Sequence, residues 1–252
     1  MRTKMPIFQN PDLDGKTFYW PGNTTGVLLI HGFTATTAEI RLLANAFKQI
    51  GLTVSAPLLP GHGTTPQDLN SRKYTDWLNC VENAYQELSK SCKRVIVGGE
   101  SMGAVLSLYL AEQHFEISAI LLYSPAIRVE SLKFAPYLKY FVPVIEKTNN
   151  DPNDKAWQGY TVYPLKAAHE FARLQKLVIR DLGIIRQPAL ILQGNMDETI
   201  NKESGPMILK SIHSEYKSLQ CLSASGHVML LGDEIQLITH TSVQFLKSID
   251  IL

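Results

Sequence analysis

Val95-Ile96-Val97-Gly98-Gly99-Glu100-Ser101-Met102-Gly103-Ala104-Val105-Leu106 carries the strongest signal in this chain. A β-branched run enters a Gly-x-Ser-x-Gly turn and an apolar segment leaves it. That is the order of strand, tight turn and helix in which a nucleophile elbow is built. Side chains at Gly99 and Gly103 would collide with the neighbouring strand and helix, so glycine is expected at both. The turn offers Ser101 Oγ to solvent and aims the first N–H groups of the helix at whatever binds beside it. The pattern arises by chance in about one chain in ten of this length, so its weight depends on partners elsewhere.

Upstream, Gly26-Val27-Leu28-Leu29-Ile30 is a continuous apolar run, the mark of a strand buried on both faces of a parallel sheet. It ends in His31-Gly32-Phe33-Thr34. Thr36 or Thr37 is placed to cap a helix from about Ala38 to Ile50, which Gly51 stops. Thr53-Val54-Ser55-Ala56 reads as the next strand, and Phe18-Tyr19-Trp20 as a short edge strand. In Pro60-Gly61-His62-Gly63 the histidine is read as pinning a constrained loop, with a catalytic base as the weaker alternative. Asp76 is the expected cap of a helix from Trp77 to about Ser89, with Val81, Ala84, Tyr85 and Leu88 as its stripe.

Downstream of the turn, Met102 to His114 is apolar nearly all round, as a buried helix must be, and Ile117–Tyr123 is a further core strand. This alternation implies a doubly wound, mostly parallel sheet with right-handed crossovers. Ligands of such sheets bind beyond the carboxyl ends of the strands, the rim shared by the His31 loop and Ser101.

The alternation breaks between about 125 and 187, too long a stretch for a plain connection. Phe134, Pro136, Tyr137, Leu138, Tyr140, Phe141, Val142 and Pro143 form an apolar and aromatic patch, followed by a polar loop at Asn149–Asp154. A helix near Pro164–Leu182 presents Ala167, Phe171, Leu174 and Val178 on one face. The insertion is expected to roof the site as a cap and line an apolar acyl pocket with Phe134, Tyr137, Leu138, Phe141 and Phe171. A dimer contact or ordinary packing is the competing account of the patch.

The sheet resumes at Ala189–Gln193. Asp197 stands just past that strand, where the acid of a triad belongs, with Glu198 as its nearest competitor. A helix near Lys202–Ile212 and a strand near Tyr216–Leu222 lead to Ser225-Gly226-His227-Val228. His227 again follows a strand, with Gly226 read as the residue that lets the loop turn. A last helix, about Glu234–Ser248, packs through Ile235, Ile238, Phe245 and Leu246.

The 252 residues are 45% hydrophobic and 19% charged, which suits one domain with a sizeable core. A formal net charge of +1 supplies no field that would attract nucleic acid or an anionic membrane. Cys80, Cys92 and Cys221 are odd in number and lack metal-type spacing, and read as reduced thiols of a cytoplasmic protein. Met1–Pro6 has basic residues but no apolar segment behind them, so a signal peptide is not expected. No run approaches the ~18 apolar residues of a membrane span. The histidines do not pair at ligand spacing, so neither a metal nor another cofactor is expected.

The chain order Ser101, Asp197, His227 resembles the triad of α/β-hydrolases. With His31-Gly32-Phe33-Thr34, Pro60-Gly61-His62-Gly63-Thr64, Gly99–Gly103, Gly194–Asp197 and Ser225–Val228, the chain is similar to single-domain members of that fold, within them the bacterial carboxylesterase and monoacylglycerol lipase group. The resemblance implies that His227 takes the Ser101 proton, that Asp197 holds the imidazole, and that the backbone N–H groups of Phe33 and Met102 form the oxyanion hole. Alanine substitution would miss those backbone donors. Bacterial monoacylglycerol lipases of this group carry a cap glutamate that holds glycerol, and Gly159–Pro164 offers Thr161 there. A carboxylesterase for short- to medium-chain esters is therefore ranked ahead of a monoacylglycerol lipase. A cofactor-free haloperoxidase, C–C hydrolase or acyltransferase uses the same triad, and a non-catalytic binding protein has no need of it. The expected partner is a small ester or lipid-like substrate, bound by a monomer or a weak homodimer formed through the cap.

Overall fold

The computed structural model describes residues 7–148 and 156–252. Both the Met1–Pro6 start and the polar loop read at Asn149–Asp154 lie outside the described residues. In chain order come β1 (Phe8–Gln9), β2 (Phe18–Trp20), β3 (Thr25–Ile30), α1 (Arg41–Gln49), β4 (Thr53–Ala56), α2 (Pro66–Ser71), α3 (Tyr74–Ser91), β5 (Arg94–Glu100), α4 (Met102–Gln113) and β6 (Ala119–Tyr123). The segment after this sixth strand, called the cap below, holds α5 (Ala135–Leu138), β7 (Val144–Glu146), β8 (Gly159–Tyr160), β9 (Val162–Pro164) and α6 (Leu165–Asp181). β10 (Ala189–Gly194), α7 (Ser204–Ser211), β11 (Lys217–Leu222) and α8 (Ile235–Ser248) complete the fold.

Seven strands form the central sheet in the order β11-β10-β6-β5-β3-β4-β2. Neighbours pair in parallel except at the edge, where β2 runs antiparallel to β4. The apolar run of β3 explains itself here, because both faces of that strand are covered. Leu28 and Ile30 pack with Trp77, Val81 and Val97 on one face, while Val27 and Leu29 pack with Leu43, Phe47 and Leu246 on the other. All four β3 side chains are inaccessible to solvent.

Local starts differ from the sequence reading in two places. Thr36 caps as expected, accepting the Ala38 N–H, but the first turn is a 3-10 helix (Thr37–Ile40) that passes into α1 only at Arg41. The next long helix begins at Tyr74, before Asp76. Asp76 is therefore not its cap but sits in the first turn, where its carboxylate accepts the Lys73 N–H at 2.8 Å. A carboxylate in that position reaches back to satisfy a donor the helix leaves open.

The cap patch also resolves differently. Residues 130–138 coil into a 3-10 turn and α5, and helical spacing turns Leu132 and Ala135 inward. Phe134, Tyr137, Tyr140 and Phe141 fall on the opposite side and stand 64–82% exposed. On α6 the expected face is buried, and Glu170 and Gln175 are buried with it.

At the β3–β5–α4 junction backbone meets backbone with no room for a side chain. A Cβ on Gly103 would lie 2.0 Å from the Ile30 carbonyl oxygen, and one on Gly99 would lie 2.4 Å from the same atom. Gly226 is different: a Cβ there meets nothing within 4 Å and its φ is not left-handed, so the loop before His227 has no need of glycine to turn. Gly103→Ala should accordingly lower unfolding stability by about 3 kcal/mol or more, whereas Gly226→Ala should stay within about 0.5 kcal/mol. Urea unfolding followed by tryptophan fluorescence measures both.

Candidate active site

β5 runs straight into α4 with one residue between them, and that residue must reverse the chain. Ser101 does so at φ 58°, a left-handed conformation costly for a residue with a Cβ. The strain is held by Ser101 N–H donating to the Tyr123 carbonyl at 2.9 Å and by Ala126 N–H reaching the Ser101 carbonyl at 3.2 Å. The result is an Oγ raised above the carboxyl ends of the strands.

The loops after β10 and β11 bring the other two groups to it. They are pressed together where a Cβ on Gly194 would meet the Ser225 carbonyl at 2.2 Å, and Met196 N–H donates to the same carbonyl. His227 Nδ1–H donates to Asp197 Oδ2 at 2.8 Å, which fixes the tautomer and leaves Nε2 to accept from Ser101 Oγ at 2.9 Å. Asp197 Oδ1 accepts the N–H groups of Thr199 and Ile200. Burial pushes the Asp197 carboxyl up, but the His227 hydrogen bond, its charge and those two N–H groups outweigh it, leaving the pKa below the usual value. Glu198, the competing acid, is exposed on the same loop and lines the cavity.

Two further carboxylates lie close by, and sequence reasoning passed over both. Glu39 is 3% exposed, and its Oε2 accepts the Gly32 N–H at 2.6 Å while Oε1 accepts Trp157 Nε1–H at 3.3 Å. Glu100, inside the elbow, accepts the Leu230 N–H at 2.9 Å and so tethers the segment just past His227. Burial raises the pKa of both against their backbone hydrogen bonds, and each also feels the charge of a neighbour. Glu39 lies in a stretch whose helical spacing suggests a solvated acid. The available signal was its place seven residues past Gly32, one turn beyond the loop.

His31 and His62 are buried and pack edge to face, with ring centroids 5.0 Å apart. His31 Nε2 accepts the Leu59 N–H, so Nδ1–H donates to the Gly32 carbonyl. Burial lowers its pKa to about 4. His62 lies well below its ordinary value from burial and from His31, and its Nδ1 is 3.3 Å from the Pro60 carbonyl. The geometry agrees with reading His62 as a loop pin.

A cavity of about 550 Å3 opens beside Ser101 and His227. Phe33, Leu132, Ala135, Leu138, Ala168 and Phe171 give it an apolar arm, and Gln9, Glu39, Lys147, Trp157 and Tyr163 a polar one. Of the five side chains expected to form an acyl pocket, Leu138 and Phe171 line this cavity. Tyr137 lines a separate groove with Arg128 and Lys176, and Phe134 and Phe141 line neither. The helical turn explains the correction: Leu132 and Ala135 occupy the inward positions assigned to the aromatics. Thr161 is buried but is not part of the wall. Met102 is the first residue of α4, so its N–H has no carbonyl within the helix. Gly32, beside Phe33, lies so near Ser101 that a Cβ on it would be 3.3 Å from the serine Cβ. Among the described residues no three His, Cys, Asp or Glu side chains cluster to hold a metal ion, and no helix is long and apolar enough to cross a membrane.

A serine presented by a strand-turn-helix junction of such a sheet, with a histidine in reach of its hydroxyl, defines the α/β-hydrolases. Within that class residues 23–152 match the Hydrolase_4 profile, described as serine aminopeptidase, S33, and the chain belongs to this family. It is 33% identical to a thermostable monoacylglycerol lipase of Bacillus sp. (strain H-257), over 94% of this chain and 96% of the relative. It is 28% identical to a carboxylesterase of Bacillus subtilis (strain 168), over 93% and 97% of the two chains. Among solved structures, one of a metagenome-derived lipolytic enzyme matches at TM-score 0.88 and 28% identity, covering 93% of this chain and 98% of that one.

Lys147 is half-buried, with its ammonium over the Trp157 and Tyr163 rings, and desolvation lowers its pKa to about 7 despite the attraction of Glu39. A free lysine titrates near ~10.4, so the unfolded chain binds more protons between those values and folding stability must rise with pH there. The stability of the wild type relative to Lys147→Met should increase from about pH 7 toward pH 10 in a urea series. A flat difference would mean that the amine is solvated.

Proposed function

We propose that the protein is a serine carboxylesterase that cleaves short- to medium-chain acyl esters through an acyl-enzyme. The observation that supports this most is the unbroken hydrogen-bonded line from Ser101 Oγ through His227 to the buried Asp197, beside an apolar arm able to take an acyl chain. A serine hydroxyl is a weak nucleophile near neutral pH and needs a base already in place. His227 Nε2 takes the proton as Oγ attacks the ester carbon, and Asp197 stabilises the imidazolium that results. The carbonyl oxygen gains negative charge, which the backbone N–H groups of Phe33 and Met102 stabilise. When the tetrahedral intermediate collapses, His227 gives the proton to the departing alcohol. Water, activated by the same histidine, then releases the acid and restores Ser101.

Monoacylglycerol hydrolysis is the second reading, favoured by the relative named for that activity and by the polar arm of the cavity. Thr161, in the segment where the resemblance implies a glycerol-holding glutamate, supports ranking simple esters first. In this reading the acyl group packs against Leu132, Ala135, Leu138, Ala168 and Phe171, which line the cavity. The cap of this reading is the segment of about 125–187. Unpaired Cys80, Cys92 and Cys221 support a reducing, cytoplasmic setting.

A fluorophosphonate should label native protein at Ser101 and leave Ser101→Ala unmodified; absence of the adduct on native protein would remove the enzyme reading. Asp197→Asn should retain the fold and lose roughly 10⁴-fold in kcat, because the imidazole tautomer is no longer held. Rates on p-nitrophenyl esters and monoacylglycerols of increasing length rank the substrates. Ala168→Phe, which narrows the apolar arm, should shift the optimum toward shorter acyl groups. A wild-type optimum at long-chain monoacylglycerols would place glycerol esters ahead of simple ones.

A further inference from the structure

Phe33 sits between two residues that are each gripped by an ionisable side chain. On one side, Gly32 N–H donates to Glu39 Oε2 at 2.6 Å. The other Glu39 oxygen is engaged by the Trp157 indole of the cap. On the other side, Thr34 Oγ1 accepts from Lys147 Nζ at 2.6 Å, and the Thr34 carbonyl accepts the Tyr160 N–H at 2.9 Å. Both of these donors belong to the cap. Thr34 itself lies at φ 67°, a strained conformation for a β-branched residue that the surroundings must enforce. The cap backbone presses on it, since a Cβ on Gly159 would be 2.3 Å from the Thr34 carbonyl oxygen.

We propose that Glu39, from the α/β core, and Lys147, from the cap, are positioning residues whose hydrogen bonds on either side of Phe33 hold its N–H where an oxyanion forms. The inference rests on the reading of Phe33 as an oxyanion donor. Each acts on the loop through its own hydrogen bond, Glu39 at Gly32 N–H and Lys147 at Thr34 Oγ1. Both Glu39 oxygens are taken by protein donors, and one Lys147 donor by Thr34 with two aromatic rings around the amine. Fixing the loop is therefore their principal work, and the cap becomes part of the catalytic geometry.

The test compares wild type with Lys147→Met, Glu39→Leu, Glu39→Gln and Thr34→Val, reading kcat and KM on p-nitrophenyl butyrate, affinity for an alkylboronic acid and thermal midpoint. The boronate forms a tetrahedral adduct on serine and so reports the oxyanion site, while butyrate binding reports the ground state. Lys147→Met and Glu39→Leu should lower kcat by about 10- to 100-fold, less than the ~10²–10³ lost when a donor is removed outright. KM and butyrate affinity should change by no more than about twofold, and boronate affinity should fall in parallel with kcat. Glu39→Gln keeps an oxygen for Gly32 N–H and should recover part of the rate. Thr34→Val removes the acceptor of Lys147 together with the hydroxyl that donates to the Phe33 carbonyl, leaves both charges in place and should give a loss of the same kind, which keeps the proposal testable if a charge variant does not fold. Unchanged kcat in folded variants would overturn it, as would a rise in KM with boronate affinity intact. If wild type is labelled at Ser101 and hydrolyses esters while the variants match it, this proposal fails and the esterase reading stands. An unlabelled wild type would bring down the esterase reading itself.

Discussion

The carbonyl oxygen of Ile30 sets the terms for the rest of the molecule. It lies against both glycines of the turn, at distances a Cβ could not tolerate. Only with both side chains absent can α4 leave the end of β5 so close to β3. That proximity raises the Ser101 hydroxyl above the strands and brings the loop after Ile30 alongside it. The chain accepts a left-handed serine in return. Such strain persists only where surrounding contacts over-determine it, and the β6 backbone supplies them through the Tyr123 carbonyl.

Three carboxyl groups converge near this turn, and their surroundings drive them in different directions. Asp197 receives a histidine and two backbone N–H groups and stays ionised. Glu100 has one oxygen bonded to Leu230 N–H, and its other is without a partner among the described residues, so burial pushes its pKa up. Glu39 lies between these cases, buried but flanked by Lys147 and His227. If all three were ionised together, their mutual repulsion in a poorly solvated site would be severe. Burial and mutual repulsion work against charge on Glu100 and Glu39, while the donors around Asp197 favour charge there.

Much of this was legible from the chain because the relevant constraints are local. The two elbow glycines, the uninterrupted apolar strands and the position of Asp197 and His227 just beyond strand ends each follow from sequence over a few residues. The cap was harder to read. Aromatic side chains at 134, 137 and 141 look like the natural wall of an acyl pocket, yet a helical turn commits Leu132 and Ala135 to the inside and sends the rings out. Helix phase over so short an element is set by what it packs against, which no local pattern contains. Glu39, Glu100 and Lys147 escaped notice for a related reason. A charged residue reads as solvated until tertiary structure supplies both its burial and its partners, and the partners in this fold lie 7, 130 and 113 positions away in sequence.

The division of labour within the cap follows from this arrangement. Its residues near 132–138 and 168–171 contribute apolar wall, while Lys147, Trp157 and Tyr160 are bonded to the core loop beside Ser101 or to Glu39. Changes of volume in the first set alter what fits without touching a hydrogen bond to that loop. Changes in the second set disturb a strained threonine and a buried acid, whichever ester is present. A cap built in this way can vary its substrate range through apolar packing alone, provided the polar strap behind it stays in place.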